Sequence, residues 1–243
     1  MSDTLIVVPV RAGSKGIPNK ATRPLGGVSP VLRTIRTAQA IDADVVVTGD
    51  DHAALRTANQ SGAATCHQPA ALSLPGVPLD APVHFATQYM ERLVYPKTYR
   101  TVVTLQVTSP FTKRETVERA IQISQDLYTT VLTVRDDRGL RWESALPETT
   151  VLTSRAPRRV TRQAMPACWR ETGAIFVTPR RWVEPTSRFS HTAYLVEVTG
   201  MEAVDLDTME DWWIAERYAA IEAQQEPITV SIAGIDPDEI FAK

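Results

Sequence analysis

Residues Leu5 to Lys20 read LIVVPVRAGSKGIPNK, and the rest of the 243-residue chain is read outward from them. Leu5-Ile6-Val7-Val8 is a short β-branched run of the kind that fills a strand buried on both faces. Small residues and cations follow at once, so the strand delivers a loop. Gly13 and Gly16 let the backbone bend and come close to a ligand, while Arg11, Lys15 and Lys20 gather three cations in one short segment. Such a loop suits a polyphosphate; the alternative is an ordinary basic strand-to-helix turn. It is not a Walker A loop, because neither Ser nor Thr follows Lys15-Gly16, and it lacks the three-glycine spacing of a dinucleotide-binding turn.

The longer run from Val8 to Gly27, VPVRAGSKGIPNKATRPLGG, resembles the signature of the acylneuraminate cytidylyltransferases, the CMP-sialic acid synthetases and their relatives. Members usually read close to IPARGGSKGIPRKNIRPLGG. The resemblance implies an α/β chain with a three-layer Rossmann-like nucleotidyltransferase fold, a mainly parallel mixed sheet and an inserted dimerisation segment. It also implies that Arg11, Ala12, Gly13, Ser14, Lys15 and Lys20 hold the nucleotide CTP, with Lys15 and Lys20 acting in catalysis. Where the family has Asn after the last Lys, this chain has Ala21, so one nucleotide contact is absent.

Length and composition agree with one large α/β domain, and 43% hydrophobic residues suffice for a core. Cys66 and Cys168 stand far apart without CxxC spacing, which points to neither a disulfide framework nor a zinc site. No signal-peptide pattern and no run of membrane-spanning length is present, so the expected location is the cytoplasm, with no membrane partner. A formal net charge of −2 argues against nucleic acid as a partner.

Along the chain, strands and helices alternate. Ser29-Pro30 opens a helix; Val45 to Thr48 is a strand; Asp51 caps a helix that Gly62 closes; Ala63 to Cys66 is a third strand. His67-Gln68-Pro69-Ala70 falls where the family has an Arg that meets the cytosine base, which aligns Gln68 with a nucleotide-binding position. A rebuilt base pocket and a drifted surface loop both remain open there. Asp80 and Pro82 open a helix with Val83, Ala86, Met90 and Leu93 along its inner face. Thr101 to Gln106 is a strand, Thr112 to Glu115 reads as a capping box for the next helix, and Thr129 to Val134 is a further strand.

Two more segments match the family. Leu105-Gln106-Val107-Thr108-Ser109-Pro110 resembles LQPTSP, which implies that Gln106 meets the acceptor. The line Arg162-Gln163-Ala164-Met165-Pro166 through Arg170-Glu171-Thr172-Gly173-Ala174-Ile175-Phe176 resembles RQxLPxxFRxNGAIY. It implies acceptor contacts at Arg162, Arg170, Thr172 and Phe176, and at Arg141 where the family has a Lys. Two departures bear on the acceptor: Asn becomes Thr172 and Tyr becomes Phe176. From Arg135 onward the chain is rich in Arg, whose planar fork binds carboxylate or phosphate through two bonds. The family places a dimer contact here, so residues 135–195 are read as an acceptor-binding and dimerisation segment inserted in a single domain spanning 1–243, and a homodimer is expected.

Ala203 to Leu206 is read as a strand leading to Asp205-Leu206-Asp207-Thr208, similar to the family's DIDT. Alternate residues of a strand share a face, about 6 to 7 Å apart at their backbones, so Asp205 and Asp207 can share a divalent metal. Mg²⁺ accepts a few carboxylates together with water and phosphate oxygens. The competing role for Asp207 is capping of the helix that starts at Met209. The activity implied is CMP transfer from CTP to an acidic acceptor, a sialic acid-like sugar acid, with release of pyrophosphate. Two alternatives stay open: the same reaction on another anionic acceptor, such as a phosphonate or a different keto-acid, and a catalytically silent nucleotide-binding module.

Overall fold

β1 (Thr4–Val10) runs through the interior of a computed structural model that describes residues 2–14, 16–93, 97–139, 142–144, 152–154 and 160–225. Leu5 and Val7 face one layer of the core while Ile6, Val8 and Val10 face the other, and all five are buried. A strand covered on both faces has no need of polar alternation, which is why its sequence is a continuous apolar run. β2 (Asp44–Gly49) and β4 (Thr101–Leu105) flank β1 in parallel, and β3 (Ala64–His67) lies parallel beyond β2.

β8 (Trp169–Pro179) runs antiparallel to both β4 and β5 (Thr130–Asp136), and β9 (Ala193–Glu197) lies parallel to β5 at the edge. The resulting order is β3-β2-β1-β4-β8-β5-β9. A separate antiparallel pair joins β6 (Trp142–Ser144) and β7 (Leu152–Ser154). α1 (Pro30–Gln39), α2 (His52–Gln60) and α4 (Arg114–Leu127) supply Ile35, Ala54 and Val117 to one face of the sheet. α3 (Asp80–Leu93) covers the other with Val83, Ala86 and Met90. α5 (Met209–Gln225) packs Trp212, Ala215 and Ala219 against Ile17, Leu25 and Leu206 in a third cluster. Trp212 is fully buried, whereas its neighbour Trp213 is exposed. Among the described residues no helix is long and apolar enough to cross a membrane.

Several local expectations hold, and others change for physical reasons. Asp51 accepts hydrogen bonds from the Ala53 and Ala54 N–H groups, each at 3.0 Å, and so caps α2. Ser29 and Pro30 open α1, although the Ser29 side chain makes no capping bond. The capping box expected at Thr112 does not form. Lys113 is the capping residue of α4, and its N–H donates to Glu202 Oε1 at 3.1 Å, so a carboxylate from a distant turn completes the helix end. Ala203 to Leu206 is not a strand either. A 3₁₀ turn covers Gly200–Ala203, and the next residues do not join the sheet; Leu206 N–H donates to Thr108 O at 2.8 Å. Burial of Leu206 beside α5, rather than a strand ladder, accounts for the apolar pattern there.

Within the stretch 135–195, β8 and β9 belong to the central sheet. β8 carries an irregularity: Leu132 pairs with Phe176, but Val134 pairs with Glu171, leaving residues 172–175 opposite Thr133. This is a β-bulge, and the φ of +72° at Gly173 shows why glycine occupies it. The backbone groups it frees are satisfied locally. Ile175 N–H donates to Thr133 Oγ1 at 3.1 Å, the Thr133 and Thr172 hydroxyls lie 2.8 Å apart, and Ala174 N–H reaches Thr172 Oγ1 at 3.4 Å.

Candidate functional site

A cleft of about 860 Å³ opens at the carboxyl ends of β1, β2 and β4. It straddles β1 and β4, the point where the strand order reverses and where open α/β sheets bind ligands. Arg11, Ala12, Gly13, Ser14 and Lys20 line it together with Gln68 and Gln106. Arg11, Ala12 and Gly13 are exposed to it, and Gly13 has a φ of +74°, which lets the loop turn without a Cβ penalty. Ala12 N–H donates to Asp50 Oδ1 at 2.8 Å, fixing the loop against the end of β2. Lys15 lies outside the described residues.

The loop meets the acidic segment directly. Lys20 Nζ donates to the Leu206 carbonyl oxygen and lies 3.4 Å from Asp207 Oδ1, with the Lys20 side chain only 14% exposed and that of Asp207 70% exposed. Gly16 is backed against the Asp207 carbonyl so closely that an added methyl group would overlap it. The glycine is therefore required by close approach. The same geometry answers whether Asp207 is a helix cap. Asp211 Oδ2 accepts from Thr208 N–H at 2.8 Å and Thr208 Oγ1 accepts from Asp211 N–H at 3.3 Å, a reciprocal capping box. Thr208 and Asp211 close the start of α5, which leaves the Asp207 carboxylate pointing to Lys20 and solvent.

Burial pushes the Asp205 carboxyl above its ordinary range, and the charges of Asp207 and Asp211 push the same way, against a hydrogen bond from Thr108 and the charge of Lys20. Asp211 moves downward: burial opposes the shift, but the bonds from Thr208 outweigh it. A partly buried carboxylate beside a second one is the kind of pair a divalent cation relieves. Among the described residues no group of three or more His, Cys, Asp or Glu could form a complete cage. Mg²⁺ keeps water and phosphate oxygens in its shell, so Asp205 and Asp207 with a nucleotide form a fitting donor set.

The residues read as acceptor contacts are distributed unevenly. Gln106 lies in the first cleft, its N–H bonded to Ala174 O at 3.2 Å, and a Cβ at Gly173 would come within 3.1 Å of its side-chain nitrogen. The bulge glycine thus gives Gln106 its room. Arg170 and Thr172 line a second cleft of about 550 Å³ that also includes Asp205 and Asp207. Thr172 is buried there, with its hydroxyl engaged by Thr133 and Ala174, so its first role is to close the bulge. Phe176 lines neither cleft. Strand alternation turns it toward α3, where Arg188 lies 4.7 Å from its ring centre and Phe189 packs at 6.3 Å. Arg188 is itself tied to Asp80 and Thr104 at 2.9 and 2.6 Å. Arg162 begins a 3₁₀ turn, Arg162–Ala164, with only the backbone of Arg162 described, and Arg141 lies outside the described residues. The run Thr229 to Ala233, which could pair at a sheet edge, is outside them as well.

Gln68 is buried beside the cleft and donates from Nε2 to Ser73 Oγ at 2.8 Å. Sequence reading missed four contributors. Asp50 anchors the loop, Thr108 bonds both Asp205 and Leu206, and His52 and Arg56 line the cleft from the N-terminal half of α2. The signal for Asp50 was available, since Gly49-Asp50-Asp51 sits at the carboxyl end of a strand. Asp51 is the helix cap of that pair, and Asp50 is the residue left over.

Fold and cleft together define an α/β nucleotidyltransferase architecture with its ligand site at the sheet's switch point. The profile of the family described as Cytidylyltransferase matches residues 5–137, more than half of the chain, and the chain belongs to that family. It is 27% identical over 218 residues to N-acylneuraminate cytidylyltransferase B of Danio rerio, an alignment covering 87% of this chain and 50% of the relative. The chain therefore spans about half the length of that protein. It is 26% identical over 244 residues to CMP-N,N'-diacetyllegionaminic acid synthase of Legionella pneumophila, covering 92% of this chain and 98% of the relative. Among solved structures, CMP:2-keto-3-deoxy-manno-octonic acid synthetase complexed with CTP superposes with a TM-score of 0.61 at 17% identity, covering 92% of this chain and 99% of that one. The 4-diphosphocytidyl-2C-methyl-D-erythritol synthase of Anaerococcus prevotii gives 0.62 at 11% identity, covering 90% and 96%. These two likenesses concern the fold.

Proposed function

We propose that the chain transfers CMP from CTP to the hydroxyl of an acidic acceptor, of the sugar-acid class named for its relatives, and releases pyrophosphate. We further propose that it works as a cytoplasmic, Mg²⁺-dependent homodimer. The observation that carries the reading is the meeting of Lys20 with Asp207, which joins a cationic loop from one end of the chain to a carboxylate from the other.

The acceptor hydroxyl attacks the α-phosphorus and yields its proton to water, the bond from that phosphorus to the bridging oxygen breaks, and pyrophosphate departs with the bond's electrons. Four negative charges on CTP oppose the approach. Arg11, Lys15 and Lys20 neutralise the leaving side, and the position of Lys20, largely shielded from water, makes its charge more effective there. Asp205 and Asp207 would hold Mg²⁺, which when bound supplies charge neutralisation at the α-phosphate. Gln68 offers an amide to the base, with its orientation set by Ser73. Gln106 orients the acceptor near the Gly173 bulge.

Calorimetry with each of the four ribonucleoside triphosphates, with and without Mg²⁺, tests the nucleotide half. CTP is expected to bind in preference to the others and more tightly with Mg²⁺; equal binding of all four, or none, sinks the assignment. Pyrophosphate release across a panel of N-acylated sugar acids, other keto-acids and phosphonates then tests the acceptor half.

A further inference from the structure

Lys20 belongs to the cationic loop and lines the first cleft, yet its ammonium is turned to the acidic segment. It donates to the Leu206 carbonyl oxygen and lies 3.4 Å from Asp207 Oδ1. Its charge reaches further, acting on Asp205 and on Asp211 as well. One ammonium therefore stands among three carboxylates. The second cleft, which Asp205, Asp207 and Asp211 line, also holds Glu171 and, opposed across β5 and β8, Arg135 and Arg170. Neither arginine forms an ion pair with Asp205 or Asp207 among the described residues, so Lys20 is the cation that serves both.

The contact with Asp207 is loose. At 3.4 Å, with the Asp207 side chain 70% exposed, water competes for the carboxylate, and an ion pair of this kind contributes little. What holds Lys20 there is its surroundings: its side chain is only 14% exposed, and Gly16 packs against the Asp207 carbonyl, which keeps the loop and the acidic segment together. A single ammonium balances less than the full charge of Asp205 and Asp207, and the partial burial of Asp205 makes that shortfall costly. Thr108 gives Asp205 a hydrogen bond but no charge.

We infer that Lys20 is an internal counter-cation, whose ammonium in the free protein takes the part of a divalent ion beside Asp205 and Asp207. A triphosphate in the first cleft draws Lys20 off Asp207 and leaves both carboxylates open to the ion. Conversely, carboxylates occupied by the ion leave Lys20 free for the triphosphate. Nucleotide and metal therefore favour each other, by the same factor in both directions. The inference rests on the transfer reaction proposed above and adds how its site stays closed to metal until nucleotide arrives. Lysine suits such an exchange, because its ammonium is a point charge on a flexible stem and lacks the two-bond lock that an arginine makes on a carboxylate.

The first measurement follows free Mn²⁺, which shares the oxygen ligands of Mg²⁺, by its electron paramagnetic resonance signal, with the full chain and no nucleotide. Lys20→Met should bind the ion at least about 10-fold more tightly than wild type, because one nearby positive charge is gone. Adding Asp207→Asn to that variant should remove the gain. Should Lys20→Met fold poorly, Lys20→Gln, which keeps a donor for the Leu206 carbonyl, gives the same reading. The second measurement is calorimetry with CTP in EDTA. Asp207→Asn should tighten metal-free CTP binding at least about 5-fold when Lys20 is present, by releasing it, and leave binding unchanged in the Lys20→Met background. Equal Mn²⁺ affinity in wild type and both Lys20 variants overturns the counter-cation. So does a tightening by Asp207→Asn that is as large without Lys20 as with it, since repulsion between carboxylate and triphosphate would then account for it. Failure of the wild type to bind CTP in Mg²⁺ counts against the proposed reaction instead, and the two failures are read separately.

Discussion

The half of the sheet that lines the first cleft and the half that carries the Arg135–Arg170 pair are built in different ways. On the first side, β1 to β4 pair in parallel with unbroken register, and the loop ends are fixed by short local devices such as the Asp51 cap. On the second side an antiparallel strand with a bulge sits between parallel neighbours, and side chains 39 residues apart satisfy its backbone. A regular sheet with short-range caps makes a site that varies little with its surroundings. A bulge supported by distant hydroxyls makes one that small substitutions can re-aim.

The largest effect should come where the two halves meet. Asp207→Ala should fold normally, since that side chain is mostly exposed, yet lower the rate of pyrophosphate release by about 10²-fold or more. Full activity with an unchanged Mg²⁺ requirement would remove this carboxylate from the reaction and dissolve the link between the halves.

Gly16→Ala should follow closely. The added methyl overlaps the Asp207 carbonyl, so the loop must move, and displacement of about 1 Å can cost on the order of 10²-fold in kcat/KM. Steady-state kinetics that match wild type would show that the loop and the acidic segment tolerate separation.

Thr133→Val sharpens the contrast itself. It leaves Ile175 N–H without its partner and the Thr172 hydroxyl short of one, and should cost about 1–3 kcal/mol in urea unfolding. Its kinetic signature should be a raised KM for acceptor with the KM for CTP little changed. Equal changes in both would mean that the bulge does not separate the two halves.

The smallest effect belongs to Asp44, at the opposite end of β2 from the cleft. Burial tends to raise its carboxyl, but hydrogen bonds from Lys97 and Tyr99 and the Lys97 charge hold it below the ordinary range. A depressed carboxylate contributes stability that is present above its unfolded pKa of about 3.9 and lost as pH falls through the folded value. Wild type should therefore melt above Asp44→Asn near neutral pH, with the gap closing as the pH drops below about 4. A gap that persists unchanged at pH 3 would show that charge is not its source.

What could be read beforehand follows the same division. Leu5 to Val8 announced a doubly buried strand because every residue in it is apolar, and Asp51 announced a cap because its bonds reach only two and three residues away. The Thr112 box failed because Glu202, far along the chain, satisfies the α4 end first. Asp205 and Asp207 were expected on a strand; Leu206 instead answers to the core under α5, and the carboxylates are presented from a segment outside the sheet.

By itself, the order of residues determined the parallel α/β framework, the cationic loop after β1 and membership in a cytidylyltransferase lineage, because those depend on periodicity, local turns and short motifs. Only the tertiary structure decided that Gly16 is there for Asp207, that Thr208 frees Asp207 from capping, and that Arg135 stands against Arg170. Each of those is a contact between groups with no local pattern in common, and chain folding alone brings them within reach.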